Sequence, residues 1–156
     1  MESFVEFLSE SVNIAKEKVE SIRTESSLVF PIFTDLHTMS AEHEFSEKLY
    51  KSLEMICNNI KVDGVINLGD TFNMLGRMIQ IPNESLSSEF EKLFTKIHCI
   101  IGCPLINVNG NHDGIGTDFF KPDYWNDIAK LKYGNTSAVY SDDGSYYYLD
   151  FGSKAR

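Results

Sequence analysis

The chain has 156 residues, of which 42% are hydrophobic, and its formal net charge is -9 at pH 7. This length suits one hydrophobic core and a single domain, whereas the negative charge gives no basic footprint for electrostatic binding of nucleic acid. Three cysteines are too few for a disulfide scaffold, and no apolar run is long enough to span a bilayer.

Residues 1–24 predict an amphipathic helix, because apolar side chains recur there at helical spacing between glutamates and lysines. The apolar positions are Phe4, Leu8, Val12, Ala15, Val19 and Ile22. The segment also lacks the basic start and long apolar core of a signal peptide, and this predicts a cytoplasmic protein.

Three short apolar runs then alternate with two helical stripes. The runs at 28–33, 65–68 and 105–108 predict strands, although Pro31 cannot donate to a sheet ladder and favours an edge or a bulge. Ser40 is the expected N-cap of the second helix, and the third helix follows the break at Pro82. The two stripes are Phe45, Leu49, Leu53, Ile56 and Ile60, and Leu86, Phe90, Leu93, Phe94 and Ile97. This order predicts βαβ units and a mostly parallel sheet.

The last quarter of the chain has a different pattern. Residues 139–141 and 146–151 predict a β-hairpin around a turn at 142–144, and residues 125–131 predict a short helix before it. No closing element follows the hairpin before Arg156. The interpretation is one domain over residues 1–156 that is incomplete at its carboxyl end.

Each strand-like run ends in a short polar motif. These motifs are Asp35-Leu36-His37, Gly69-Asp70 and Gly110-Asn111-His112-Asp113. Ligands gather beyond the carboxyl ends of strands in open α/β sheets, so the three motifs are predicted to converge. Each motif alone is common by chance, whereas the ordered set favours a metal site.

The side chains of these motifs suit divalent transition metals. A locally extended backbone would direct Asp35 and His37 to the same side, where a carboxylate and an imidazole bind such an ion. Asp70 offers two oxygens and can bridge two ions, and Asn111 offers a neutral amide oxygen. His112 then remains free to act on substrate, with Asp113 available to orient it.

In these motifs the sequence resembles the calcineurin-like metallophosphoesterase superfamily, over roughly residues 27–151. The resemblance implies an α/β fold: the amino-terminal portion of a β-sandwich flanked by helices, mostly parallel strands plus a late hairpin. It also implies roles for the motif residues. Asp35 and His37 would bind the first metal, Asp70 would bridge the pair and Asn111 would bind the second. His112 would protonate the leaving alkoxide, assisted by Asp113.

The implied activity is phosphoester hydrolysis, by a phosphodiesterase or a phosphatase, with two divalent ions (Mn²⁺, Fe²⁺ or Zn²⁺). The implied partner is a phosphoester substrate. The acidic balance disfavours long nucleic acid, no membrane association is expected, and an exposed sheet edge favours a homo-oligomer.

The chain departs from the family in its histidines. Members carry further histidines downstream, ending in a Gly-His-x-His block, whereas this chain has only His37, His43, His98 and His112. The interpretation places His43 on the surface near the second helix and His98, as a cation, at the end of the third. Neither replaces a missing ligand, so weak or partial metal binding is expected from this chain. Asn73 also stands where many members have an acidic residue.

The sequence leaves two classes of function open. The first is a metal-dependent phosphoester hydrolase, inactive as this chain alone. The alternative is a non-catalytic structural or interaction module that retains part of the fold. Retention of His112 and Asp113 favours the hydrolase, because a structural remnant has no need of a general acid. A nucleotide-binding domain is disfavoured, since no Gly-x-Gly-x-x-Gly or P-loop sequence occurs.

Overall fold

The computed structural model describes residues 2–73, 83–108, 110, 112, 137–140, 147–152 and 154. Its elements are, in chain order, α1 (Glu2–Ile22), β1 (Ile32–Phe33), α2 (Glu44–Asn59), β2 (Val65–Asn67), α3 (Asn83–Ile101), β3 (Leu105–Asn107), β4 (Ser137–Tyr140) and β5 (Tyr147–Asp150). None of the described helices is both long enough and apolar enough to cross a membrane.

Helix α1 confirms the predicted amphipathic helix. Val12 is buried, whereas Phe7, Ile14 and Ile22 remain exposed, and the helix packs against α2. Beyond its carboxyl end, the Arg23 guanidinium donates to the Asp63 carboxylate at 3.1 Å. This ion pair attaches the end of the helix to the loop that precedes β2.

Strands β1, β2 and β3 form a parallel sheet in that order. Ile66 of β2 lies opposite Ile32 of β1 on one side and Ile106 of β3 on the other. Helix α2 connects β1 to β2, and α3 connects β2 to β3. The predicted βαβ units and parallel strands are therefore confirmed.

Strand β1 is much shorter than the predicted run over 28–33. The carbonyl of Val29 accepts the Asp63 amide and that of Pro31 accepts the Ile66 amide, each at 2.9 Å. Pro31 has no amide hydrogen to donate, so it cannot complete the ladder with β2 at this position. Regular strand geometry is limited to Ile32–Phe33.

Helix α2 begins later than predicted, because His43 and not Ser40 is its N-cap. His43 has an extended backbone, and its Nδ1 accepts the Phe45 amide at 3.3 Å. Ser40 lies in the preceding turn, where its carbonyl accepts the His43 amide and the hydroxyl of Ser46. The prediction of a Ser40 cap was wrong, since that turn delays the helix by three residues.

The core lies between the parallel sheet and helices α2 and α3. Its largest fully buried apolar side chains are Phe72, Phe94, Leu93, Ile97 and Val65. On the other face of the sheet, Ile32, Leu68 and Val108 remain 49–60% exposed. Among the described residues, therefore, the helices cover one face of the sheet.

Strands β4 and β5 pair antiparallel, with Val139 opposite Tyr148. The turn predicted at 142–144 and the helix predicted at 125–131 lie outside the described residues. Beyond β5, the ring of Phe151 contacts that of Phe30 edge-on, with 5.4 Å between centroids. The structure is a mixed α/β fold, and the β-sandwich remains a prediction.

Candidate metal centre

The pairing of β1 with β2 continues past both strands into the loops that carry the first two motifs. The Asp35 amide donates to the Gly69 carbonyl at 3.1 Å, and the His37 amide donates to the Asp70 carbonyl at 3.0 Å. The Thr38 amide then donates to the Thr71 carbonyl at 2.9 Å. These bonds hold the first two motifs side by side at the carboxyl edge of the sheet.

Three non-glycine residues have positive φ among the described residues, and all three are predicted metal ligands. The φ angles are 52° for Asp35, 46° for His37 and 52° for Asp70. The extended backbone expected between Asp35 and His37 was therefore wrong. A left-handed conformation costs an L-residue roughly 1–2 kcal/mol, and such strain clusters at functional sites.

His37, Asp70 and His112 each offer one ligand atom, and these atoms lie within 4.8 Å of one another. An ion with bonds of about 2.1 Å holds its donors about 3–4 Å apart, so the group needs only a small contraction. Two imidazoles and a carboxylate suit zinc, iron or manganese. The donor set therefore fits one divalent ion.

Asp35 lies at the open side of this group. Its Oδ1 is 3.7 Å from His37 Nε2, and its side chain is 63% exposed. The Thr34 hydroxyl donates to its other oxygen at 2.6 Å. Asp35 and His37 thus face the same side, as predicted, although the backbone conformation differs from the expected one.

His112 reaches the group from the loop after β3. Its amide donates to Asp70 Oδ1 at 2.7 Å, and its ring contacts the His37 ring edge-on at 4.6 Å between centroids. Its Nδ1 is buried, with no hydrogen-bond partner within the described part of the chain. A buried, unpaired nitrogen is costly, so this atom is suited to a ligand or substrate.

The close approach of this loop to Asp70 requires glycine at position 110. A Cβ on Gly110 would lie 2.1 Å from Asp70 Oδ1 and 2.4 Å from the Asp70 amide nitrogen. No side chain can occupy that space without moving the loop. Asn111 and Asp113, which the family resemblance assigns to the second metal and to the support of His112, lie outside the described residues.

The other two histidines lie outside this donor group. His43 caps α2, as described above. Burial of His98 lowers its pKa, so it is neutral near pH 7 and the prediction of a cation at the end of α3 was wrong. Asn73 stands where many family members have an acidic residue. Its backbone N–H donates to the Thr38 carbonyl at 3.0 Å.

Sequence reasoning missed a buried polar network beneath the site. Asn67 and Asn107 are register partners in β2 and β3, and the Asn67 amide group donates to Asn107 Oδ1 and to Thr71 Oγ1. Asn67 Oδ1 accepts the Gly69 amide at 3.1 Å. A signal was present, because both strands read apolar-Ile-Asn-apolar, with the asparagine at the same position.

One comparison with known proteins, that with family models, agrees with this geometry. No curated protein and no solved structure shows a significant match with the chain. The family model of calcineurin-like phosphoesterases, which are metal-dependent hydrolases of phosphoesters, matches residues 29–154 and leaves α1 outside. The chain therefore belongs to the calcineurin-like phosphoesterase family.

Proposed function

We propose that this domain hydrolyses phosphoesters at a dinuclear metal centre. The observation that supports the proposal most strongly is the convergence of His37, Asp70 and His112 within 4.8 Å at the ends of three parallel strands. We assign His37 and Asp35 to the first ion, Asp70 to both ions and Asn111 to the second. The ions, when bound, would activate water and neutralise the phosphate oxygens.

We assign His112 as the general acid that protonates the leaving oxygen, with Asp113 orienting it. An imidazole suits this role because its unperturbed pKa lies near neutrality. The hydrogen bond from the His112 amide to Asp70 Oδ1 fixes the backbone of the acid relative to the metal ligand. The buried Nδ1 of His112 has no partner among the described residues, and this supports a role directed at a ligand or substrate.

We further propose that this chain alone binds metal weakly. His43 and His98 serve elsewhere in the fold and His112 is assigned as the general acid, so His37 is the one imidazole assigned to an ion. Two ions would need more strong donors than Asp35, Asp70 and Asn111 add. We therefore expect less than two Mn²⁺ ions per chain, with hydrolysis slow or absent.

Calorimetric titration with Mn²⁺, followed by assay on bis(p-nitrophenyl) phosphate and p-nitrophenyl phosphate, tests these assignments. His37→Ala and Asp70→Asn should each abolish Mn²⁺ binding, because the first removes an imidazole donor and the second removes the negative charge and one oxygen of the carboxylate assigned to both ions. His112→Ala should preserve most Mn²⁺ binding and abolish any hydrolysis, as expected of a general acid. A matched control is His43→Asn, which removes an imidazole but keeps a side chain that caps helices.

The outcomes separate the parts of the proposal. Mn²⁺ binding that survives both His37→Ala and Asp70→Asn would contradict the metal site. Loss of binding in His112→Ala would make His112 a ligand and not the acid. Tight binding of two ions by the unmodified chain would contradict the expectation of a weak site.

A structural or interaction module is the second candidate, and the exposed apolar face of the parallel sheet favours it. Ile32, Leu68 and Val108 are 60%, 49% and 49% exposed on that face. Such a surface promotes association. If the chain is such a module, sedimentation velocity should show concentration-dependent self-association, and Leu68→Ser should reduce it. Hydrolysis that depends on Mn²⁺ should then be absent. A monodisperse monomer would count against it.

A further inference from the structure

The described part of the parallel sheet contains a buried polar side chain, that of Asn67, which apolar packing does not explain. Asn67 is fully buried in the central strand, between Val65 and the Gly69-Asp70 turn. Burying an amide costs free energy unless its donors and acceptor are all paired. Here they are paired, and every partner leads towards the metal-binding loops.

On its own strand, Asn67 fixes the turn that presents Asp70. Its Oδ1 accepts the Gly69 amide at 3.1 Å, and its Nδ2 donates to the Thr71 hydroxyl at 2.8 Å. These two partners flank Asp70 on either side. Gly69 adopts its φ of 95° without strain, whereas Asp70 has a Cβ and a φ of 52°, so the bonds on either side help to hold Asp70 in a strained conformation.

On the neighbouring strand, Asn67 fixes the start of the loop that presents His112. The second hydrogen of its amide reaches Asn107 Oδ1, at the last position of β3. Gly110 follows three residues later and lies against Asp70, and His112 donates its amide to Asp70 Oδ1. A single side chain therefore connects the bases of both loops.

We propose that Asn67 is a positioning residue of the metal centre. It sets the separation between the Asp70 turn and the His112 loop, and thereby the spacing of the donor atoms. The inference rests on the proposed function, because it assigns Asn67 to the same site. Residues that orient metal ligands typically change metal affinity about 10- to 100-fold when they are replaced.

The test compares three variants of the full chain. Asn67→Leu keeps a similar volume but leaves the Gly69 amide and Asn107 Oδ1 without this partner. Asn67→Asp keeps the acceptor for Gly69, and it can accept from Thr71 and from a rotated Asn107 amide. Ile97→Val, in the core on α3, is the control for loss of stability without loss of a hydrogen bond of the network.

The first measurement needs no metal. Hydrogen exchange followed by NMR should show the Gly69 and His112 amides exchanging at least about tenfold faster in Asn67→Leu than in Ile97→Val. Amides inside α2, which carries neither substitution, should behave alike in both variants. Asn67→Asp should restore much of the protection. Equal exchange of the His112 amide in Asn67→Leu and the control would overturn the proposal.

The second measurement is the affinity for Mn²⁺ by calorimetry. Asn67→Leu should weaken it about 10- to 100-fold, whereas Ile97→Val should leave it unchanged. Unchanged affinity in Asn67→Leu would overturn the role in spacing the donors. If the unmodified chain binds no Mn²⁺, the proposed function fails and the exchange data alone decide on Asn67. If Asn67→Leu does not fold, Asn107→Ala removes the same bridge at a less buried position.

Discussion

The parallel sheet joins two regions built on opposite principles. The first is the helix-covered core, a set of buried apolar side chains formed by Val65, Leu93, Phe94, Ile97 and Leu105. The second is the ligand loops, residues 34–38, 69–71, 110 and 112, at the carboxyl edge of the same strands. The core consists of relaxed helices and strands, whereas the ligand loops combine left-handed residues, a buried polar network and a close backbone contact.

This difference shows how the domain separates stability from chemistry. Burial of apolar surface stabilises the core without requiring a specific side-chain chemistry. The ligand loops give up stability to direct three donors to one point. If this division is correct, substitutions in the core should change the free energy of unfolding, and substitutions in the loops should mainly change metal binding.

The largest effect is expected in the core. Phe94 is 1% exposed, and Phe94→Ala should lower the free energy of unfolding by about 3–5 kcal/mol through lost burial and a cavity. Urea denaturation measures this loss. Phe94→Leu, at about 1 kcal/mol, provides a folded variant if the alanine variant is too unstable. Phe94→Leu should leave the Mn²⁺ affinity unchanged. A loss of binding free energy as large as the loss of unfolding free energy would contradict the separation of stability from metal binding.

Substitution of Gly110 should change the free energy of unfolding less than Phe94→Ala does, but it should also weaken metal binding. The Cβ in Gly110→Ala would meet the backbone and carboxylate of Asp70, so the loop must move. Overpacking of this kind costs typically about 1–3 kcal/mol. Urea denaturation should show that loss, and calorimetry should show weaker Mn²⁺ binding than in the unmodified chain. If the free energy of unfolding and the Mn²⁺ affinity were both unchanged, the loop could move away from Asp70 without cost.

Strain in the ligand loops can be measured at Asp35, whose φ is 52°. Asp35→Gly and Asp35→Ala both remove the carboxylate, but only alanine keeps a Cβ in the left-handed conformation. The glycine variant should therefore be more stable than the alanine variant by about 1 kcal/mol. Paired urea denaturation curves measure the difference, and both variants should bind Mn²⁺ equally weakly. Equal stability would show that no strain is stored at this position.

The smallest effect concerns the pH dependence of the core. Burial holds the folded-state pKa of His98 below its ordinary value of 6.5. As the pH falls below 6.5, the unfolded chain binds the proton first, so stability is full above that pH and is lost through the folded-state pKa. Thermal denaturation between pH 7 and 5 should show a shallower decline in His98→Gln. An identical decline would remove His98 as its source.

The cysteines illustrate how burial changes chemistry near this core. Cys57 and Cys103 pack against it, and burial raises the pKa of both thiols, that of Cys103 to about 12. Such thiols are poor nucleophiles and poor metal ligands near neutral pH. Cys99, by contrast, is exposed on α3. None of the three belongs to the donor group of the described residues.

Local patterns were sufficient for much of the fold. The 3.6-residue period of apolar side chains predicted the three helices of the described residues, and the runs at 65–68 and 105–108 predicted β2 and β3. Pro31 correctly indicated that regular strand pairing would be interrupted within the run at 28–33. These features depend on neighbours within one turn or one strand, so the sequence carries them directly. The start of α2 was missed because a turn at Ser40 competes with capping.

The sequence by itself determined the order of the motifs, the family resemblance and the donor types at Asp35, His37, Asp70 and His112. Only the tertiary structure decided that three donors lie within 4.8 Å, that three predicted ligands are left-handed, and that Asn67 connects the two loops. The physical reason is strand register. Residues about 40 positions apart become partners only when β2 and β3 align, and no local pattern contains that alignment.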